Sequence, residues 1–270
     1  MFYTGNRHRG LTLNNKRGTI LHMKFWLLSL ILFSCCYAEA KKCDKPLVRI
    51  AVLDTGFGYQ NKGHEAKLCK EGHRDFSIEG LTSYNYNTLD PIPLDFNGHG
   101  TNVAGIIDEY ASKAHVNYCI VVLKYYSDNQ SGWANLLATV AAINYANVLG
   151  VDFINYSAGG AITNYEEGVA VKEFINRGGK FVAAAGNDHL DLDRPGNSYY
   201  PAMEDKRVIV VGSNNIYGVR SKYSNYGSVV KRWELGESVE AYGITLTGTS
   251  QATAVATGRM VSEIRNKCDR

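Results

Sequence analysis

The sequence predicts a single α/β domain with a doubly wound, mainly parallel sheet and helices on both of its faces. Short apolar runs recur along the chain and are nearly continuous, as in strands that are covered on both faces. Segments with the apolar spacing of helices lie between them, and this alternation is typical of doubly wound folds. With 270 residues, of which 45% are hydrophobic and 20% charged, the chain can bury a substantial core.

Five apolar runs are the predicted strands, and they cover residues 48–53, 119–123, 151–155, 180–185 and 208–211. Two helices are predicted between them. In the helix over 134–148, the residues expected on the inner side are Leu137, Val140, Ala141, Asn144 and Val148. In the helix over 166–177, they are Val169, Val171, Phe174 and Ile175. Residues 57–98 are rich in Gly, Asn, Asp and Pro and predict loops with one or two short strands.

Residues 1–40 are typical of a basic leader with a secretory signal peptide, and residues 41–270 form the predicted domain. Residues 25–33 are nine almost entirely apolar residues after Lys24, which suits a secretory signal and is short against the ~20 residues of a membrane span. Small residues allow cleavage after Ala40. The mature protein is therefore expected to be secreted or periplasmic, with no membrane span after signal cleavage.

Other interpretations of the leader stay open. Translation could start at Met23, and the apolar run could be an uncleaved anchor or a core strand. Residues 32–35 resemble a lipoprotein box, but Phe33 is bulky for one, so lipid anchoring through Cys35 is the less favoured alternative to release. Cleavage after Ala40 leaves seven residues before the first strand, so no propeptide is evident and the domain is expected to fold unaided or with a separate partner.

Charge is unevenly distributed and gives no indication of a nucleic-acid partner. Residues 1–40 carry five Lys and Arg against one Glu, a charge of +4. The whole chain carries +3, so the remaining residues carry −1. A domain without a basic excess lacks the attraction to phosphates on which nucleic-acid binding depends.

Four cysteines follow the leader, namely Cys43, Cys69, Cys119 and Cys268. None belongs to a Cys-x-x-Cys pair, so a zinc site is not indicated and no metal ligands are predicted. In an oxidising compartment, an even number of cysteines favours two disulfides with three conceivable pairings. Reduced, buried thiols are the alternative.

Three separated segments carry candidate catalytic side chains. Asp54 follows the first predicted strand, at the carboxyl end where open α/β sheets place their sites. His99 stands between two glycines at a predicted helix start, where the backbone allows close approach. Ser250 opens a helix of small residues, so its hydroxyl and amide lie at the positive end of the helix dipole. The order Asp, His, Ser is one of the known orders of the Ser-His-Asp triad.

The segments around these residues resemble the active-site blocks of subtilisin-like serine peptidases. The three blocks are Val-Leu-Asp-Thr-Gly-Phe at 52–57, His-Gly-Thr-Asn-Val-Ala-Gly at 99–105 and Gly-Thr-Ser-Gln-Ala at 248–252. The segment Asn-Tyr-Ser-Ala-Gly-Gly at 155–160 is similar to the family's substrate-binding strand. The segment Ala-Ala-Ala-Gly-Asn at 183–187 is similar to the one that supplies its oxyanion asparagine. The resemblance covers nearly all of the predicted domain.

The resemblance implies a secreted serine endopeptidase that hydrolyses peptide bonds through an acyl-enzyme intermediate. Ser250 would attack the peptide carbonyl, His99 would take and return the proton, and Asp54 would orient the imidazole. The side-chain amide of Asn187 and the backbone N–H of Ser250 would hold the oxyanion. This chemistry requires no cofactor. Relatives often bind structural calcium, but the sequence assigns no residues to such a site.

The resemblance also implies a cleft for an extended polypeptide, which would pair with residues 156–159 as an added strand. Trp133 would crowd or stack on the substrate, or instead pack on the helix that follows it. The protein is expected to be a monomer. The residues expected to contact the substrate are Ser131, Gly132, Trp133, Ser157, Ala158, Gly159, Gly160, Ala185 and Gly186.

Four positions depart from the family's pattern, and none of them is a catalytic group. Asn102 stands where the family has a second His in the His-Gly-Thr block. Ala254 and Val255 replace a Pro and a His after the Ser block, and Tyr242 replaces the Pro of an Ala-Pro-Gly segment.

The sheet order of the family carries a further implication for the cysteines. It would place the segment near residues 68–76 beside residues 119–123. A Cys69–Cys119 disulfide is then expected, and Cys43–Cys268 would tie the two ends of the domain together.

Two alternative functions remain in view. A catalytically silent binding or regulatory protein on the same scaffold would be marked by a missing triad or oxyanion residue, and none is missing. A different serine hydrolase could use Ser157 as its nucleophile. The α/β-hydrolase elbow requires Gly-x-Ser-x-Gly, however, and Asn155 holds the first position here. Separate substitution of Ser157 and Ser250 distinguishes the two serines.

Overall fold

Seven parallel strands form the central sheet of this computed structural model, which describes residues 46–59, 66–77 and 86–264. The strands of the sheet are β1 (Val48–Asp54), β2 (Arg74–Asp75), β3 (Tyr118–Lys124), β4 (Phe153–Tyr156), β5 (Lys180–Ala184), β6 (Ile209–Asn214) and β7 (Val230–Leu235). A separate antiparallel hairpin consists of β8 (Val239–Ala241) and β9 (Ile244–Leu246). The helices are α1 (His99–Ala111), α2 (Gly132–Leu149), α3 (Tyr165–Asn176) and α4 (Thr249–Ser262).

Several predictions fall outside the described residues. These are the leader over residues 1–40 with its signal peptide and Cys35, and the Cys43–Cys268 disulfide. They stay predictions. Within the described part of the chain, no helix is both long enough and apolar enough to cross a membrane.

The strand order is β2-β3-β1-β4-β5-β6-β7, and every neighbouring pair is parallel. The predicted doubly wound, mainly parallel α/β fold is therefore confirmed. Strand β1 lies between β3 and β4, with Asp54 opposite Lys124 and Leu53 opposite Tyr156. Parallel strands end at the same edge of a sheet, so the polar residues that follow β1, β3 and β4 meet there.

Alternate residues of β1 face opposite layers of the domain. Ala51 and Leu53 belong to one buried cluster together with residues of α2 and α3, whereas Ile50 and Val52 belong to a second cluster with residues of α1 and α4. This is why the strands are apolar without alternation: both faces are covered by helices. Of the predicted inner residues of α3, Val171, Phe174 and Ile175 are buried and Val169 is partly exposed.

The inner face of α2 was only partly predicted. Leu137 is 43% exposed and Val148 is 74% exposed, so their predicted inward positions are wrong. The predicted inner residues Val140 and Ala141 are buried, and a row of alanines at helical spacing, Ala138, Ala142 and Ala146, is buried as well. Small side chains let a helix lie close to a sheet. This helix has two rows of apolar residues, and periodicity alone does not show which row faces the core.

Three strands, β7, β8 and β9, were not individually predicted. Strand β7 contains Lys231, Arg232 and Glu234, and it forms one edge of the sheet, where a continuous apolar run is not needed. The hairpin β8–β9 has only three residues in each strand. Strand β2, at the other edge, is a short strand of the kind expected within residues 57–98.

Helices α1 and α4 cross closely because of a glycine in α4. A Cβ atom at Gly258 would lie 2.6 Å from the Cβ of Tyr110 and 2.9 Å from the carbonyl oxygen of Ile107. Both distances are shorter than van der Waals contact, so any larger residue would push the helices apart. This contact sets the position of α4, which carries Ser250 at its start.

A disulfide joins Cys69 to Cys119, the pairing that the sheet order of the family implied. It ties the segment before β2 to the start of β3, beside the bridge between Leu68 and Ile120. His73 lies against this segment, with Nε2 hydrogen-bonded to the Cys69 carbonyl oxygen at 2.8 Å. The edge of the sheet beside β3 is therefore fixed by a covalent bond as well as by the strand pairing.

Replacing both Cys69 and Cys119 by Ala is expected to lower the free energy of unfolding by about 2–4 kcal/mol. The disulfide closes a loop with a sequence separation of 50 residues, so its loss enlarges the conformational freedom of the unfolded chain. Urea unfolding of wild type and variant measures the difference. Equal stabilities, or a non-reducing peptide map without a Cys69–Cys119 peptide, would contradict this disulfide.

Candidate active site

Asp54 and His99 meet at the carboxyl edge of the sheet. Asp54 ends β1 and is buried, and His99 is the first residue of α1. His99 Nδ1 donates to Asp54 Oδ1 at 2.7 Å. Gly100 permits this approach, because a Cβ atom there would lie 2.4 Å from the carbonyl oxygen of Gly56. The glycine after His99 is thus a steric requirement for bringing the helix against the strand end.

The charge of Asp54 governs the titration of His99. Its attraction for the imidazolium raises the pKa of His99 above the ordinary value, and burial opposes this in part. The hydrogen bond to Asp54 and the charge of Asp95 add to the rise. The imidazole can therefore accept a proton readily. Because Nδ1–H is bonded to Asp54, Nε2 is the ring nitrogen that is available to take that proton.

Asp95 organises the turn that delivers His99 to Asp54. Its Oδ1 accepts from the Gly98 N–H at 2.8 Å and from the Thr55 hydroxyl at 2.9 Å. Its Oδ2 accepts from the Thr101 N–H at 2.9 Å, so the carboxylate caps the first turn of α1. Thr55 in turn accepts from the Gly100 N–H at 2.9 Å. Burial alone would raise the pKa of Asp95, but these hydrogen bonds outweigh it and lower the pKa.

Ser250 lies in the first turn of α4, and its hydroxyl is bonded away from His99. Ser250 Oγ donates to the carbonyl oxygen of Ser157 at 2.8 Å, and Ser157 Oγ donates to the carbonyl oxygen of Ser250 at 3.0 Å. Within the described residues, no hydrogen bond joins Ser250 Oγ to His99. His99 and Ser157 nevertheless line one cavity of about 240 Å³, together with Asp54. Ser250 is thus bonded to a residue of the same cavity wall that contains His99.

A buried polar chain fixes the strand that carries Ser157. Thr257 Oγ1 donates to Asn155 Oδ1 at 2.8 Å, and Asn155 Nδ2 donates to Ser157 Oγ at 2.9 Å. All three residues are buried, so each hydrogen bond matters for the stability of α4 on β4. Thr257 was missed from the sequence because its partner is 102 residues away, and only the fold brings them together.

Asn187 is oriented by the start of α4. Its Oδ1 accepts from the Thr249 N–H at 2.9 Å and from the Thr249 hydroxyl at 3.0 Å. This leaves the two Nδ2 hydrogens as the exposed donor end of the amide. A donor held in this way beside the N-terminus of α4 can stabilise a developing oxyanion.

Asn102 takes a structural role at the position where the family has a histidine. Its Nδ2 donates to the carbonyl oxygen of Ile244 at 2.7 Å, and its Oδ1 accepts from Gln251 Nε2 at 3.1 Å. The amide is fully buried and connects α1, the hairpin and α4. Asn102 thus links the helix that carries His99 to the helix that carries Ser250.

The cleft residues predicted from the sequence lie around the segment at 158–160, which separates two cavities. Gly132, Ala158, Gly159 and Gly160 line a cavity of about 360 Å³ on one side. Asn187 lines a second cavity on the other side, again with Gly159 and Gly160. Ala185 and Gly186 are buried beneath it, where their carbonyl oxygens accept from the side chain and the backbone of Asn225.

Ser131 and Trp133 are placed differently from the other cleft residues. Ser131 is the N-cap of α2, with its hydroxyl accepting from the Ala134 N–H at 3.1 Å. Trp133 is 62% exposed and is absent from the lining of the cavity that contains Gly132. The helix begins at Gly132, so its period directs Asn135 and Leu136 toward that cavity instead.

Tyr199 is a cleft residue that sequence reasoning missed. A Cβ atom at Gly159 would lie 2.5 Å from its ring, and one at Gly186 would lie 2.6 Å from it. The ring therefore fills the space between these two glycines and forms a wall of the cavity beside Asn187. The motif at 155–160 contains two glycines, which indicate close packing, but nothing in it indicates the partner.

A buried carboxylate bonded to an imidazole, a serine at a helix start and an oriented amide are the parts of a serine hydrolase site. The chain belongs to the subtilase family of serine peptidases, whose family model matches residues 46–266.

Individual relatives agree with this assignment. The chain is 30% identical over 229 residues to the major intracellular serine protease of Bacillus subtilis, an alignment that covers 79% of this chain and 67% of that protein. It is 33% identical over 196 residues to subtilisin-like protease 7 of Arthroderma otae, covering 69% of this chain and 47% of that protein. The chain thus spans about two thirds of the first relative and about half of the second.

A solved structure gives the same result for the fold. The crystal structure of a cold adapted subtilisin-like serine proteinase superposes with a TM-score of 0.62 at 27% identity. The superposition covers 78% of this chain and 72% of that one.

Replacing Asp54 by Asn is expected to lower the pKa of His99, because the amide no longer stabilises the imidazolium by charge. NMR titration of the His99 ring in wild type and variant measures the change. Asp152→Asn, at the amino end of β4, is the matched control and should leave the His99 titration as in wild type. An unchanged His99 titration in Asp54→Asn would contradict the Asp54–His99 pairing.

Replacing Asp95 by Asn is expected to lower the free energy of unfolding near neutral pH by about 2 kcal/mol. The Asn side chain has one acceptor oxygen, so it cannot accept all the hydrogen bonds that the Asp95 carboxylate receives from Thr55, Gly98 and Thr101. The folded pKa of Asp95 lies below its unfolded value. Its stabilisation is thus present above the unfolded pKa and is lost as pH falls through the folded one. Urea unfolding should therefore show the difference between the two proteins shrinking below about pH 4. A difference that does not vary with pH would exclude this role.

Proposed function

We propose that this chain is a serine endopeptidase that hydrolyses extended polypeptides through a Ser-His-Asp triad. The observation that carries the proposal is the 2.7 Å hydrogen bond between His99 and Asp54, at the sheet edge where α4 presents Ser250. Membership of the subtilase family supports the reaction class.

In the proposed reaction, Ser250 Oγ leaves the Ser157 carbonyl oxygen and donates to His99 Nε2. His99 takes the proton as Oγ attacks the peptide carbonyl, and Asp54 stabilises the imidazolium that forms. The same proton then passes to the leaving amine, which leaves an acyl group on Ser250. Water, deprotonated by His99, releases the acyl group and restores the serine.

The Asn187 amide and the Ser250 backbone N–H bind the negative oxygen in this proposal. Thr249 holds Asn187 in place before the substrate arrives, so the amide needs no rearrangement during the reaction. All the groups used belong to the chain itself, so the proposed chemistry requires no cofactor.

The proposed substrate lies along residues 157–160 as an added strand. Rotation of the Ser250 hydroxyl frees the Ser157 carbonyl oxygen as an acceptor for a substrate N–H. We further propose that the enzyme acts outside the cytoplasm, as a secreted or periplasmic protein. The leader in residues 1–40 and the Cys69–Cys119 disulfide support this location.

One observation favours a second candidate, a catalytically silent protein on the same scaffold. Ser250 Oγ donates to Ser157 and not to His99, so the nucleophile is not activated in this arrangement. A silent protein would keep this hydrogen bond when a peptide binds, whereas an enzyme would exchange it for one to His99.

Replacing Ser250 by Ala is expected to reduce kcat/KM for a fluorogenic polypeptide such as labelled casein by about 10⁶-fold, the scale found when a subtilisin loses its nucleophile. Ser262→Ala, a substitution in the last turn of the same helix, is the matched control and should hydrolyse casein like wild type. Activity that survives Ser250→Ala and disappears with Ser157→Ala would assign the nucleophile to Ser157. No hydrolysis by folded wild type would support the silent alternative.

A further inference from the structure

A carboxyl group lies buried in the wall of the cavity beside the proposed substrate strand. Glu167, in the first turn of α3, is only 3% exposed, and it lines the cavity of about 360 Å³ together with Ala158, Gly159 and Gly160. This cavity therefore opens between the segment that would pair with a polypeptide and the start of α3. Glutamate is rarely buried to this degree without a partner.

The carboxylate of Glu167 has no partner in the described part of the chain. Among residues 46–59, 66–77 and 86–264, its one hydrogen bond outside its helix joins the backbone N–H to Asn164 Oδ1 at 2.9 Å, which caps the helix. Glu204 adds a second negative charge nearby, but that carboxylate is already held by the Thr163 hydroxyl at 2.7 Å and by Lys172 Nζ at 4.0 Å. An unpaired buried carboxylate is costly, and a cation would relieve the cost.

The pKa of Glu167 expresses the same cost. Burial, followed by the charge of Glu204, raises the pKa of Glu167 to about 7. Tyr125 and Tyr156 line the same cavity, and burial is the main cause that raises their pKa values, with the charge of Glu167 adding to it. No cationic side chain of the described segments contributes to lowering the pKa of Glu167.

The walls of the cavity suit a long cationic side chain. The aromatic rings of Tyr125 and Tyr156 lie with their centroids 5.4 Å apart, and both line the cavity. Leu136 and Ile162 supply aliphatic surface. Lysine and arginine pack their methylene stems on such surfaces and place the charged end against aromatic faces and carboxylates.

We propose that this cavity binds a lysine or arginine side chain of the polypeptide substrate, with Glu167 as its ion-pair partner. The inference rests on the proposed function, because the cavity takes its substrate from the strand-pairing segment at 158–160. It adds the class of residue that the enzyme prefers. A neutral Glu167 that favours an apolar side chain is the competing outcome of the test.

Binding to a variant that cannot cleave tests this preference directly. The protein carrying Ser250→Ala is titrated, by fluorescence anisotropy at pH 8, into peptides in which one arginine is moved along an otherwise neutral sequence. Each peptide is paired with one that carries citrulline, which has nearly the shape of arginine without its charge. At one position, arginine should bind at least about tenfold more tightly than citrulline, as expected for a charge-assisted hydrogen bond.

Adding Glu167→Gln to this variant should reduce the arginine preference to less than about twofold, because the amide offers no charge. Glu166→Gln is the matched control, since Glu166 is the exposed neighbour in the same helical turn, and it should keep the preference. Equal binding of arginine and citrulline at every position, tighter binding of an apolar residue, or no binding of any peptide would overturn the proposal. The comparisons of arginine with citrulline and with apolar residues use the protein with Glu167 intact, so misfolding of the Glu167→Gln variant cannot obscure them.

Hydrolysis by the protein with Ser250 intact separates this proposal from the proposed function. Casein cleavage without an arginine preference in the binding assay would refute the basic-residue pocket alone. An arginine preference lost in Glu167→Gln, with no hydrolysis by wild type, would refute the peptidase and leave the pocket in place.

Discussion

The hydrogen bond between Asp54 and His99 is the interaction on which the site depends, and it is possible only because of the parallel sheet. Strand β1 ends at the same edge as its neighbours, and Asp54 is its last residue. A helix can approach this point only if its second residue lacks a side chain, and Gly100 meets that condition. Asp95 then holds the turn in place through five hydrogen bonds.

The position of Ser250 depends instead on how helix α4 packs against its neighbours. Gly258 brings α4 close to α1, and Asn102 joins the same two helices through Gln251. The buried chain from Thr257 through Asn155 then ties α4 to β4. The two halves meet at a cavity lined by His99 and Ser157, and the Ser250 hydroxyl is held by the carbonyl oxygen of Ser157.

The buried strands and the candidate catalytic residues could be predicted from the sequence. The edge strand and the side chains that support the site could not, because they depend on contacts between distant parts of the chain. The five apolar runs predicted the buried strands, because strands covered on both faces must be apolar. Asp54, His99 and Ser250 could be chosen as candidates because short motifs surround them. Edge strand β7 was missed because an edge needs no such run. The polar supports were missed because Thr257 and Asn155 lie 102 residues apart in sequence, and the burial of Glu167 follows only from the packing of α3.

The most direct measurement of the central claim is the site of reaction with a fluorophosphonate, which labels only serines activated by a base. The protein is treated with the probe and digested, and the adduct is located by mass spectrometry. We expect one adduct, on Ser250, in the wild type and its loss in a variant with His99→Ala. An adduct on Ser157, or none in folded wild type, would contradict the triad of Asp54, His99 and Ser250.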